Sequence, residues 1–79
     1  MSFTEVSLAV LYLLQEARVA LNMEQIAQGL ESAAAGTYLD TALAVNDLTD
    51  KGFLRAEDTP MAPLYSLTVE GRVNLSHLV

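Results

Sequence analysis

The residues able to do chemistry are few and scattered. His77 is the one histidine, and the chain has no cysteine. A zinc site around His77 would therefore need three carboxylates, a donor set foreign to the usual tetrahedral sites. A surface or helix-end histidine is the expectation. Asp47 and Asp50 stand at i, i+3, on one side of a helix, where paired carboxylates could hold a hard cation or share acid and base roles. A solvated helix face explains the pair more simply. Ser2, Ser7, Ser32, Ser66 and Ser76 have no general base close in sequence, and no glycine-rich phosphate loop is present. Met1, Met23 and Met61 are too dispersed for a cofactor box, and only Met61, at a loop tip, is placed to touch a partner. The residues predict no enzyme, no metal and no cofactor.

Charge narrows the partners. The 79-residue chain has 10 Asp and Glu against 4 Lys and Arg, a net charge of −6, so its long-range field repels phosphates and anionic lipid. From Asp40 to Arg72 the acids are Asp40, Asp47, Asp50, Glu57, Asp58 and Glu70, and the bases Lys51, Arg55 and Arg72. Apolar residues make up 52%, which is rich for a single domain that buries only about 60 to 65% of its unfolded surface. Part of that surplus is expected to meet another protein, most simply a second copy. The longest apolar run, Leu8 to Leu14, falls short of the roughly 20 residues that cross a bilayer, and it lacks the flanks of a signal peptide. No membrane contact and a cytoplasmic location are expected.

The elements that position these residues can be read in order. Thr4 is read as an N-cap with Glu5 in the first turn, opening a helix over Phe3 to Ala17 whose apolar residues cover more than one face. An extended piece around Val19 to Leu21 follows. Asn22 caps a second helix, with Gln25 completing a capping box and Leu21 and Ile26 spaced as a hydrophobic staple; Ile26, Ala27 and Leu30 share a face. Gly36 marks the next turn. Asp40 is read as the cap of a third helix over Thr41 to Lys51, stopped by Gly52. At about 100° per residue Thr41, Ala44, Val45 and Leu48 face inward, while Ala42, Leu43, Asn46, Asp47 and Asp50 face out. "FLRAE" and "LYSL" have strand character around the loop Asp58 to Pro63, whose prolines cannot donate to a ladder, so a short hairpin with a mobile tip is expected. Thr68 caps a last helix that runs to the end of the chain with no C-terminal capping signal, as the N-terminal domain of a longer protein would. The fold expected is mainly α with a small β-hairpin: a three-helix core, a wing and a C-terminal helix in one domain.

Two stretches carry a family resemblance. "LAVNDLTDKGFL", Leu43 to Leu54, resembles a recognition helix running into a wing, and "YSLTVEGRVNL", Tyr65 to Leu75, resembles the Y-x-L-T-x-x-G-R stretch of PadR-like and MarR-like bacterial regulators. Almost the whole chain is similar to the N-terminal winged helix-turn-helix domain of a bacterial family allied to them. The resemblance implies a dimeric transcriptional regulator whose third helix enters the major groove and whose wing meets the backbone.

Two sets of candidate residues result. For duplex DNA they are Thr41, Ala42, Asn46 and Arg55, of which Asn46 is suited to a bidentate contact with adenine. For a protein interface they are Val6, Leu8, Val10 and Leu11 on the first helix, Leu39 and Leu43 at the third, and Val73, Leu75 and Leu78 on the last. A homodimer joined mainly through the first helix is expected. Another protein is an alternative partner. Phosphate contacts come largely from Lys and Arg, and the third helix offers only Lys51, so any DNA binding is expected to be weak.

Overall fold

Three helices begin with the same reciprocal device. The computed structural model describes residues 2–78, except the side chain of Leu78. It contains α1 (Phe3–Ala17), α2 (Met23–Ser32), α3 (Tyr38–Asp50), β1 (Leu54–Glu57), β2 (Leu64–Leu67) and α4 (Val69–Leu78). At α1 the Ser2 hydroxyl accepts from the Glu5 amide at 3.1 Å, and the Glu5 carboxylate accepts from the Ser2 amide at 3.2 Å. Asn22 and Gln25 repeat the exchange at α2, as expected from their spacing, at 2.8 and 2.9 Å. Thr37 and Asp40 repeat it at α3, at 3.2 and 3.1 Å. Each box satisfies two amides that the start of a helix would otherwise leave without partners.

Two caps therefore differ from the sequence reading. Ser2, not Thr4, caps α1, because S-x-x-E gives two bonds where Thr4 alone would give one. Thr37, not Asp40, caps α3. Asp40 is the third residue inside the helix and supplies the returning carboxylate, so α3 starts three residues before Thr41 and takes in Tyr38 and Leu39.

The helix ends are made by left-handed residues. Gly52 (φ +82) follows α3, with its amide donating to the Thr49 carbonyl at 3.0 Å and the Phe53 amide to the Leu48 carbonyl at 2.9 Å. This Schellman pair stops the helix where the glycine suggested. After α2 the same pair recurs, Ala34 to Glu31 at 3.0 Å and Ala35 to Leu30 at 2.8 Å. Here the left-handed position holds Ala34 (φ +54) instead of glycine.

The core gathers on α1. Val6, Val10, Leu11 and Leu14 are buried against Ile26 and Leu30 of α2, Ala44, Val45 and Leu48 of α3, and Leu54, Tyr65 and Leu75. The domain's own elements α2, α3, α4 and β2 all pack on α1. That corrects four of the interface candidates: Val6, Val10 and Leu11 are core, and so is Leu75, and the large apolar side chains that α1 leaves exposed are Phe3 and Tyr12. Leu8 is half-buried at the edge of the same cluster. The inward side of α3 is as read, with Thr41, Ala44, Val45 and Leu48 buried.

The wing is a short antiparallel hairpin in the register Leu54 with Leu67, Arg55 with Ser66, Ala56 with Tyr65 and Glu57 with Leu64. Leu21 joins it, exchanging amide and carbonyl bonds with Tyr65 at 3.0 and 2.8 Å. Within the loop the Thr59 hydroxyl bonds the carbonyl of Ala62 and accepts from its amide. Among the described residues no helix is long and apolar enough to cross a membrane.

Candidate interaction surfaces

The outer face of α3 is built by the phase that the core imposes. With Thr41, Ala44, Val45 and Leu48 turned inward, Leu39 and Leu43 stack one turn apart on the outside, and Tyr38 and Ala42 do the same beside them. Tyr38 is 59% exposed, Leu39 67% and Leu43 53%, while Ala42 is half-buried. Asn46 and Asp50 continue the exposed side toward the C-terminal end. A helix starting at Thr41 leaves Tyr38 outside it, so the sequence read with that start does not point to Tyr38. The T-x-x-D spacing of Thr37 and Asp40 is the signal that would have found it.

Thr41 is removed from the DNA contacts. It is fully buried, and its hydroxyl donates to the Thr37 carbonyl at 2.9 Å, one turn back along the helix. Of the remaining DNA candidates, Asn46 and Arg55 are exposed on α3 and β1 respectively, and Ala42 offers only a methyl group.

The electrostatics of this face are negative. Asp40 near the start of α3 is held below the usual carboxylate range by the Thr37 backbone amide and then by the Thr37 hydroxyl. Its charge there complements the helix dipole. Lys51, the one base of the helix region, forms an i, i+4 pair with Asp47 at 2.9 Å. Glu57 and Asp58 at the end of β1 are exposed. Such a surface lacks the array of free cations that neutralises successive phosphates.

A second apolar surface lies on α4. Val69 and Val73 are exposed and, with half-buried Phe53, line a groove of about 410 Å³ that also touches Glu70, Asn74 and His77. His77 is in the last turn of α4, the helix-end position expected of it. Val73 is thus the α4 interface candidate that is available; the side chain of Leu78 lies outside the described residues. Among the described residues no group of three His, Asp or Glu side chains could hold a metal ion.

Among the described residues, four helices and a two-stranded wing between α3 and α4 define a winged-helix-like α+β domain. Residues 6–79 match the family model described as "Domain of unknown function (DUF4364)", and the chain belongs to that family. No curated protein matches the chain.

Proposed function

We propose that the chain is the winged-helix module of a bacterial transcriptional-regulator-like protein, and that the outer face of α3 meets protein where a DNA reader would meet bases. The observation that carries this reading is the pair Leu39 and Leu43, exposed one turn apart on the helix that would enter the groove, beside Tyr38 and Ala42. Isolated exposed leucines are ordinary on protein surfaces. A contiguous set is different, because large exposed apolar patches mark interaction sites. The same face carries Asp40, and its one lysine is already paired with Asp47. Phosphate would bring only like charge to that face, whereas a protein partner brings apolar surface to match Tyr38, Leu39 and Leu43.

A second copy of the chain is the simplest partner. A stable interface of this kind removes more than about 1,000 Å² in total from water. Sedimentation equilibrium of the wild type and of Leu43→Glu tests the reading. The wild type is expected to associate at micromolar concentration. Leu43→Glu should be monomeric, with a folding stability within about 1 kcal/mol of wild type, as for ordinary surface changes. A wild type that stays monomeric would exclude self-association through this face. A Leu43→Glu chain that unfolds would show that Leu43 serves the core.

A further inference from the structure

The cations of this acidic chain are not spread evenly. Arg18 and Arg72 line one groove of about 500 Å³, between the end of α1, β2 and the start of α4, together with Leu14, Val19, Ser66 and Leu67. Two of the 4 Lys and Arg therefore line this one groove. Among the described residues neither Arg18 nor Arg72 has a carboxylate within 4.0 Å or a side-chain hydrogen bond. Glu16 lines the same groove and is the one acid among its walls.

Each arginine has one unfavourable feature: backbone conformation at Arg18, charge placement at Arg72. Arg18 is the C-cap of α1 with φ +58, a left-handed conformation that favours glycine. Arg72 sits in the first turn of α4, its amide donating to the Thr68 carbonyl at 3.1 Å. A cation there opposes the positive end of the helix dipole. Left-handed backbone at a residue other than glycine, as at Arg18, tends to collect at ligand sites.

We infer that this groove binds a small organic anion, its oxyanion head against the Arg18 and Arg72 guanidinium groups and its apolar body against Val19 and Leu67. The planar fork of arginine suits a carboxylate or phosphate head. The volume falls in the range of small-ligand sites, about 300 to 1,000 Å³. Val19, 63% exposed, supplies an uncovered apolar wall. The site is separate from the α3 face, and its test does not depend on self-association.

Titration of the whole chain by amide NMR with three probes decides it: hexanoate, which has head and body; inorganic phosphate, which has only a head; and hexanol, which has only a body. Hexanoate should shift the amides of Arg18, Val19, Ser66, Leu67 and Arg72 and bind at least about tenfold more tightly than either other probe. Arg18→Gln and Arg72→Gln should each weaken it by about tenfold or more. Arg18→Gly removes the charge while relieving the backbone, so it should lose hexanoate yet unfold at a higher temperature than wild type. That result separates lost binding from lost folding. The inference is overturned if hexanol or phosphate binds as well as hexanoate, if the shifts fall elsewhere, or if the arginine variants keep wild-type affinity.

Discussion

The Thr68 hydroxyl donates to the carbonyl oxygen of Gly52 across 2.7 Å, tying the start of α4 to the end of α3. The Thr68 hydroxyl oxygen in turn accepts from the Gly71 amide at 3.0 Å, which makes Thr68 the N-cap of α4, and the Thr68 amide donates to the Phe53 carbonyl at 3.1 Å. One residue thus joins the helix behind the wing to the helix in front of it. Three residues on, a Cβ at Gly71 would lie 2.2 Å from the Phe53 carbonyl oxygen. The T-x-x-G spacing has a physical meaning: the threonine caps α4 and anchors it, and the glycine lets its backbone approach Phe53.

Gly71→Ala should accordingly be among the most damaging single-methyl additions in the chain. The neighbour is backbone, which cannot turn aside as a side chain can, so a destabilisation of about 1 to 3 kcal/mol or more is expected in denaturant unfolding. Gly29→Ala is the contrasting case, because its Cβ would meet the end of the Leu13 side chain at 2.7 Å, and that side chain can change rotamer. A Gly71→Ala chain as stable as wild type would contradict the close approach of α4.

Ala34 points the other way. It holds the left-handed position of the Schellman pair after α2, where glycine is free of the Cβ penalty. That penalty is about 1 to 2 kcal/mol, partly offset by the greater freedom of glycine in the unfolded chain, about 0.4 to 1 kcal/mol. Ala34→Gly is expected to stabilise the domain by up to about 1.6 kcal/mol. Thermal unfolding checks it, and a lower melting temperature would count against the left-handed conformation at this residue.

The caps also give stability a pH dependence. Glu5 is held below the usual carboxylate range by the Ser2 backbone amide and then the Ser2 hydroxyl, and Asp40 by the same two groups of Thr37. A depressed folded value means that folding favours the charged form. The contribution is present above the ordinary carboxylate range and is lost as pH falls through the depressed values, below about pH 4. Glu5→Gln with Asp40→Asn keeps acceptors in both boxes, as Gln25 does at α2, but removes the titration. The double variant should lose less stability than wild type between pH 6 and pH 3, measured by melting temperature. Equal acid sensitivity in the two chains would rule out the boxes as its source.

What the sequence made legible follows from how local each signal is. The hairpin, the Asn22 cap, the Gly52 stop, the Thr68 cap and the inward phase of α3 all rest on contacts within a few residues, and each is present in the structure. The start of α3 is hidden by a competing local signal: Asp40 is a good N-cap in isolation, and it is the third helical residue because Thr37 lies one box-length before it. The covering of α1 was not legible, because apolar residues on several faces look the same whether a partner or the chain's own α2, α3, α4 and β2 bury them. Thr41 fell between the two kinds of signal, polar by type and inward by phase, and the phase decides. The Arg18 and Arg72 groove joins residues far apart in sequence, and no spacing announces it.

Titration of the protein with mixed-sequence duplex DNA at two salt concentrations tests most directly whether an acidic, apolar α3 face has given up groove reading. The free cations near that face are few, with Lys51 paired to Asp47 and Arg55 alone on β1. No binding is expected at about 150 mM salt, with at most weak binding at low salt whose salt slope corresponds to one or two phosphates. Tight binding with a steep slope, corresponding to about six or more neutralised phosphates, would contradict the proposal and return the α3 face to DNA.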